Sequence, residues 1–137
     1  MSESIEEFNR FRGTMNEKIF AAGNLTTNRF FNLDTRAYEA GALEVKTKEL
    51  LGLVASMVLR CDDCITYHVQ RCCDEGVTDP EIHEAFSIAL VVGGSIVIPH
   101  LRRAVARLEE IRQSSAERRA PSADPQTPAI TNIAPRP

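Results

Sequence analysis

Two cysteines, a histidine and an upstream carboxylate form the group of residues in this sequence most suited to chemistry. Cys61 and Cys64 make a CxxC pair, His68 follows Cys64, and Glu49 precedes Cys61 across an almost wholly apolar run. At about 100° per residue, positions 61, 64 and 68 fall within roughly one 60° arc of a helix. The two sulfurs can therefore meet, and the imidazole lies one turn from the second sulfur. The pattern predicts a redox-active dithiol with its own proton relay.

The surroundings of the two thiols predict a different role for each. A helix N-terminus favours a thiolate, but the two aspartates between the cysteines add negative charge, and Cys61 is the thiol nearer the helix end. Cys64 has His68 as a nearby proton acceptor. We therefore expect Cys64 to be the reactive thiol and Cys61 its resolving partner. Glu49, from the preceding helix, is expected to orient and polarise His68, directly or through a water molecule.

The same residue types also allow other interpretations. A CxxC pair with a histidine supplies three zinc ligands, but there is no second CxxC, and Cys72 could complete the site only through an unusual geometry. Cys72 lies four residues after His68 and could act as an auxiliary thiol, or it could pack in the core together with Cys73. His83 and His100 have no partner at helical spacing, so we interpret both as structural or surface residues.

Composition limits the class of protein. The chain has 137 residues, 43% of them hydrophobic, which suits one folded domain with a modest core. A net charge of -3, with both signs mixed throughout, gives no electrostatic case for nucleic acid or an anionic membrane. The N-terminus, MSESIEEF, lacks the apolar segment of a signal peptide, and no apolar run is long enough to span a bilayer. Four cysteines in such a chain predict a reducing, cytoplasmic location.

Apolar residues recur at helical spacing, and no β alternation, hairpin signal or internal repeat is present. The sequence therefore predicts an all-α fold. A loop is expected at residues 25–28. Helices are expected over residues 4–22, 34–40, 46–60, 62–76, 81–92 and 99–113.

Capping residues mark several of the expected helix starts. Ser4 with Glu7 has the spacing of a capping box. Thr78 or Asp79 is expected to cap the helix that follows, and Glu81 can complete a capping box there. Thr47 could cap the third helix. That helix is apolar on nearly all sides, which predicts that it is buried or covered by another subunit.

The chain divides into three expected regions. Residues 1–41 form an N-terminal helical extension, residues 42–113 the redox core, and residues 114–137 a tail that holds five of the seven prolines. Such a tail cannot bury enough surface to fold alone, so disorder is predicted. A second interpretation is a docking peptide in which Ile130 and Ile133 are apolar anchors for a partner.

The stretch KTKELLGLVASMVLRCDDCITYH resembles the signature of the carboxymuconolactone decarboxylase/AhpD-like superfamily. The alkylhydroperoxidase branch of that superfamily carries a glutamate, eleven residues, a cysteine, two residues, a cysteine, three residues and a histidine. Glu49, Cys61, Cys64 and His68 match this spacing throughout. The resemblance extends over residues 40–110.

The resemblance implies an all-helical fold whose core helices pack between subunits as homotrimers or hexamers. It also implies a thiol peroxidase or disulfide reductase in which the second cysteine, Cys64, is peroxidatic and a Glu–His pair removes its proton. An external lipoyl-type or thioredoxin-like dithiol would then reset the pair, with no metal or organic cofactor. Some members carry a histidine between the two cysteines, where this chain has Asp63. This difference bears on thiolate activation and on the choice of reductant.

Two other functions stay open at this point. One is a decarboxylase-like or isomerase-like enzyme that uses His68 as a base, although the decarboxylase branch generally lacks the CxxC pair. The other is an interaction or cargo protein that docks through its C-terminal tail, for example inside an encapsulating protein shell.

Overall fold

The chain folds into α-helices joined by short turns. The computed structural model describes residues 3–121. Within that range there is no β-strand, so the predicted all-α fold is confirmed. A short 3-10 turn, Ser95–Val97, links the last two helices. The helices are α1 Ile5–Ala21, α2 Leu25–Ala37, α3 Val45–Val58, α4 Asp62–Asp74, α5 Asp79–Gly93 and α6 Ile98–Arg119.

The core lies among the last four helices. Helix α3 packs against both α4 and α5, and α4 packs against α6. The side chains that reach zero exposure are mostly aliphatic: Leu53, Met57, Val69, Cys72, Ile82, Ala89, Val97 and Ala104. Helix α1 instead contacts α2 and α6, and its first residues are tied to α6 by a hydrogen bond from the Ile5 amide to Glu110 Oε1 at 2.7 Å. The first two helices therefore cover one side of a four-helix core.

Two helix starts follow the capping rules. In α1, the Ser4 hydroxyl accepts from the Glu7 amide at 3.2 Å while the Glu7 carboxylate accepts from the Ser4 amide at 2.8 Å. In α5, Thr78 and Glu81 form the same reciprocal pair, with Pro80 in the first turn. Both predicted capping boxes are confirmed, because this sequence pattern satisfies free amides with local side chains alone.

Helix α2 was predicted incorrectly. It begins at Leu25, where a loop was expected, and it ends at Ala37, before the predicted limit of residue 40. The Asn24 side chain accepts from the Thr27 amide at 3.0 Å and so starts the helix earlier. The two threonines that follow suggested a loop because they often compete with the backbone for hydrogen bonds.

Two further boundaries also differ from prediction. Helix α3 begins at Val45 after Glu44, which makes no side-chain capping bond, so Thr47 lies inside the helix and does not cap it. Helix α6 continues beyond residue 113 to Arg119. The Ser115 hydroxyl donates back to the Ile111 carbonyl at 2.8 Å, which lets a serine-containing segment stay helical. The expected start of the disordered tail, at residue 114, is therefore wrong for the part that forms α6.

The remainder of the proline-rich tail, including Ile130 and Ile133, lies outside the described residues. No helix within residues 3–121 combines the length and the hydrophobicity that crossing a membrane requires.

Candidate active site

The turn between α3 and α4 sets the position of the two cysteines. Arg60 adopts a left-handed conformation, with φ of 59°, and is the one described non-glycine residue with positive φ. Its amide donates to the Met57 carbonyl at 3.0 Å, and the Cys61 amide donates to the Ser56 carbonyl at 3.1 Å. These two bonds form a Schellman motif, which usually has glycine at the left-handed position. The motif ends α3 and turns the chain directly into α4.

Cys61 is the N-cap of α4, so the dithiol stands at a helix N-terminus. The Cys61 sulfur accepts from the Cys64 amide at 3.3 Å. The two cysteines are joined by a disulfide, with their Cα atoms 5.3 Å apart. Cys64 is exposed and Cys61 is half-buried. An attacking reagent can therefore reach the second sulfur more easily than the first.

Glu49 and His68 form a buried hydrogen-bonded pair. His68 Nδ1 lies 2.8 Å from Glu49 Oε2, and the whole residues are 8% and 1% exposed. Arg71 Nε donates to the other oxygen, Oε1, at 3.3 Å. Burial acts to lower the pKa of Arg71, but the Glu49 charge and its hydrogen bond outweigh burial and raise that pKa. The guanidinium thus balances the charge of the buried carboxylate, so the histidine need not be charged.

The hydrogen bonds indicate how the His68 ring is used. A carboxylate only accepts, so a neutral ring donates Nδ1–H to Glu49 and leaves the Nε2 lone pair as an acceptor. With the ring in this neutral form, the Tyr38 hydroxyl, 3.3 Å from Nε2, is the donor to that lone pair. Burial raises the pKa of Tyr38, and the nearby Glu49 charge raises it further, so this hydroxyl keeps its proton. Glu49, His68 and Tyr38 therefore form one continuous chain of hydrogen bonds.

Gly52 makes the close approach of Tyr38 and His68 possible. A Cβ atom at this position in α3 would lie 2.6 Å from the Tyr38 hydroxyl and 2.6 Å from His68 Cε1. Real side chains do not approach so closely, so any larger residue would push the two rings apart. No pattern in the sequence singles out Gly52.

A cavity of about 510 Å³ opens beside Cys64. Its wall includes the apolar side chains of Phe8, Phe11 and Met15 from α1, and it also includes Tyr38 and His68. The structure therefore brings Cys64, His68 and Tyr38 to one space. The apolar wall comes from the N-terminal region that sequence analysis interpreted as an extension to the core.

A second histidine–carboxylate pair lies on the other side of the dithiol. His100 Nδ1 on α6 is 2.7 Å from Asp62 Oδ1, and Arg103 Nε is 3.0 Å from Asp62 Oδ2. Burial acts to raise the pKa of Asp62, but the hydrogen bonds from His100 and Arg103 outweigh it and lower that pKa. The sequence interpretation of His100 missed this partner, because the two residues are 38 positions apart and share no helical spacing.

The other cysteines and the third histidine lie apart from this chemistry. Cys72 is fully buried in the core, and burial raises its pKa to about 12. Cys73 is half-buried, and burial raises its pKa too. His83 is exposed and packs edge-on against Phe86, with ring centroids 5.6 Å apart. Within residues 3–121, no three His, Cys, Asp or Glu side chains are grouped as metal ligands would be.

Comparison with solved structures finds the same fold in bacterial proteins. Two crystal structures of one Thermotoga maritima protein are 62% and 60% identical in sequence, each with a TM-score of 0.79. The matches cover 82% and 83% of this chain and 98% and 97% of theirs. One of them is described as a carboxymuconolactone decarboxylase family protein with a suggested part in the antioxidative response. A family member from Legionella pneumophila, solved in its apo form, is 25% identical with a TM-score of 0.72, over 77% of this chain and 95% of its own.

Comparison of sequences agrees with comparison of structures. A Paracoccus denitrificans protein called uncharacterized protein 4 in cox locus is 32% identical over 90 residues, which are 66% of this chain and 81% of that protein. The carboxymuconolactone decarboxylase family matches residues 24–107, a region that contains α2 as well as the CxxC pair. The chain belongs to the carboxymuconolactone decarboxylase family, within the AhpD-like superfamily.

Proposed function

We propose that this protein is a thiol-dependent peroxidase that reduces hydroperoxides with electrons from an external dithiol. One arrangement carries the proposal: exposed Cys64 shares a cavity with His68, whose other nitrogen is hydrogen-bonded to buried Glu49. A thiolate is the nucleophile in such chemistry, and an imidazole nitrogen that carries no hydrogen can take the thiol proton. The suggested antioxidative part of the Thermotoga maritima protein supports the same reaction class.

The reaction then proceeds in three balanced steps. His68 Nε2 takes the proton of the Cys64 thiol, and the thiolate attacks one peroxide oxygen. The O–O bond breaks, an S–O bond forms, and the alkoxide or hydroxide that leaves takes up a proton, so the cysteine becomes a sulfenic acid. The Cys61 thiol then attacks that sulfur and releases water, forming the disulfide seen in the structure. An external dithiol of the lipoyl or thioredoxin class reduces this disulfide by thiol exchange.

A thiol count tests this proposal directly. Reduced protein is mixed with one equivalent of cumene hydroperoxide, and its mass is followed against time. We expect rapid loss of the mass of two hydrogen atoms, mapped by peptide analysis to Cys61 and Cys64 and reversed by a dithiol. Cys64→Ser should abolish the reaction, whereas Cys73→Ser is a matched control that should keep it. Thiols that stay reduced under excess peroxide would contradict the proposal.

A decarboxylase-like or isomerase-like reaction is a second candidate, and the Glu49–His68 pair favours it. That pair is fully formed without help from either cysteine, so His68 could serve as a base for a carbon acid. The Cys61→Ser, Cys64→Ser double variant separates the two functions. Peroxide turnover should vanish in it, whereas turnover of a muconolactone-type substrate would persist if this second function were correct.

We also propose that α3 and α5 form a subunit interface of a homotrimer or hexamer. A groove of about 860 Å³ between them is lined by exposed apolar side chains, among them Leu51, Leu59, Ile88 and Val92. Exposed apolar surface of this kind is typical of protein–protein contacts. Light scattering should give a trimer or hexamer for the wild-type chain and a smaller species for Ile88→Asp. A monomeric wild-type protein would contradict the interface.

We further propose that the tail beyond α6, residues 120–137, docks on a partner such as an encapsulating shell. A pull-down with the tail peptide tests it, and removal of the tail should leave peroxide turnover unchanged.

A further inference from the structure

We infer that Tyr38 carries a proton between His68 and the oxygen that leaves when Cys64 attacks a hydroperoxide. The inference rests on the proposed function and adds a residue to it. Tyr38 lies at the end of α2, outside the CxxC signature, and no spacing in the sequence connects it with His68.

The position of the Tyr38 hydroxyl is suited to this transfer. It hydrogen-bonds to His68 Nε2 at 3.3 Å, and both residues border the cavity that contains Cys64. The ring centroids of Tyr38 and His68 are 5.3 Å apart and the planes are tilted by 34°, so the two rings pack against each other. A leaving oxygen formed in the cavity would therefore meet the tyrosine hydroxyl beside the imidazole.

Two other residues keep Tyr38 in this place. Lys48 Nζ donates to the Ala37 carbonyl at 2.9 Å and to the Glu39 carbonyl at 2.6 Å, the residues on either side of Tyr38. Gly52 leaves the space in which the hydroxyl meets the imidazole. The backbone of the α2 terminus is thus fixed to α3, the helix that also supplies Glu49.

The proton balance of the step is complete. Once His68 has taken the Cys64 proton, Nε2 carries a hydrogen and the Tyr38 oxygen accepts it. As the O–O bond breaks, the hydroxyl gives its own proton to the leaving alkoxide and takes the Nε2 proton in return. The alcohol leaves, Cys64 holds the hydroxyl of a sulfenic acid, and His68 is neutral again. The raised pKa of Tyr38 supports this role, because the hydroxyl holds its proton until a strong base forms.

The test compares two oxidants whose leaving groups differ in basicity. Cumene hydroperoxide releases an alkoxide, which needs a proton, and peracetic acid releases acetate, which does not. The measured quantity is the single-turnover rate of Cys61–Cys64 disulfide formation in reduced protein. We expect Tyr38→Phe to slow the reaction with cumene hydroperoxide by roughly 10²-fold and to change the reaction with peracetic acid by less than about threefold.

Two further variants guard against a simple folding defect. Gly52→Ala forces both Tyr38 and His68 to move, so it should slow both oxidants and show the pattern of a general disturbance of the site. Thr35→Val removes a hydroxyl of the same helix that bonds to the Phe31 carbonyl, and it should react like wild type with both oxidants.

The outcomes separate this inference from the proposed function. Equal slowing of both oxidants in Tyr38→Phe would show a structural role and overturn the inference, and so would an unchanged rate with both. Wild-type protein inert to both oxidants would overturn the peroxidase function and this inference with it.

Discussion

Two histidine–carboxylate pairs flank the dithiol, and their geometry is almost the same. His68 lies 2.8 Å from Glu49, and His100 lies 2.7 Å from Asp62. Their surroundings differ, because the Glu49 side chain is 2% exposed and the Asp62 side chain 44% exposed. A charge pair loses most of its energy to solvent screening at a surface, whereas a buried group has no water to replace a lost partner. The two pairs therefore contribute very different free energies to folding, although their hydrogen bonds have nearly equal lengths.

The two pairs also face different parts of the molecule. His68 borders the cavity beside Cys64. Asp62 instead connects the start of α4 to His100 and Arg103 on α6. We interpret the first pair as part of the redox chemistry and the second as a structural contact that holds the start of α4 against α6. The predictions that follow test this distinction.

Glu49→Gln should have the largest effect. It removes the charge that balances Arg71 and the acceptor that fixes the His68 ring. We expect the free energy of unfolding to fall by about 1.5–3 kcal/mol, because the buried His68 Nδ1–H loses a charged hydrogen-bond acceptor. The rate of disulfide formation with hydroperoxide should fall by roughly 10²-fold, since proton removal from the thiol is lost. Urea unfolding and stopped-flow mixing measure the two quantities.

Asp62→Asn is the matched variant in the other pair. We expect it to lower the free energy of unfolding by less than about 1 kcal/mol, as for other exposed ion pairs. Its rate of disulfide formation with hydroperoxide should stay within about threefold of wild type. If Asp62→Asn slowed that reaction as strongly as Glu49→Gln, both pairs would belong to the chemistry and our distinction would be wrong.

The same variant has a characteristic pH dependence. The pKa of Asp62 in the folded protein is lowered from its ordinary value of 3.8, so the folded state binds this proton less readily than the unfolded chain. The pair therefore stabilises the protein above pH 3.8 and loses that contribution as the pH falls through the folded-state pKa. The stability difference between wild type and Asp62→Asn should thus shrink below pH 3.8. A difference that grew on acidification would contradict this assignment.

The sequence predicted the first pair and missed the second for a physical reason. Glu49 and His68 lie on two consecutive helices that pack against each other, and their spacing matches the family signature, so the sequence could predict the pair. His100 reaches Asp62 only because α6 packs on α4, and Tyr38 reaches His68 only because α2 ends beside α3. Such contacts depend on tertiary packing, which no local pattern encodes.

The fold shows the same division between local and tertiary information. Capping boxes are local, and both predicted boxes are present in the structure. The start of α2 depends on a single asparagine cap among residues that also suit a loop, and there the prediction was wrong. Gly52 is the clearest case, because its importance comes from two side chains that belong to other helices.

Arg60→Gly is expected to have the smallest effect and the opposite sign. Arg60 and Gly76 occupy the same position in two Schellman motifs, at the ends of α3 and α4, with φ of 59° and 76°. A left-handed backbone costs arginine roughly 1 kcal/mol in steric strain, which glycine avoids. Part of this gain is lost, because glycine gives the unfolded chain more conformational entropy. We therefore expect the free energy of unfolding to rise by about 0.5 kcal/mol, measured by urea unfolding.

This variant also tests whether the two histidine–carboxylate pairs depend on the turn between α3 and α4. The Arg60 side chain is exposed, and glycine keeps the backbone bonds that turn α3 into α4. Both pairs should then keep their positions, and the rate of disulfide formation should stay at the wild-type value. A variant of unchanged or higher stability whose rate fell would show that the turn itself, and not only the Glu49–His68 pair, sets the reactivity of Cys64.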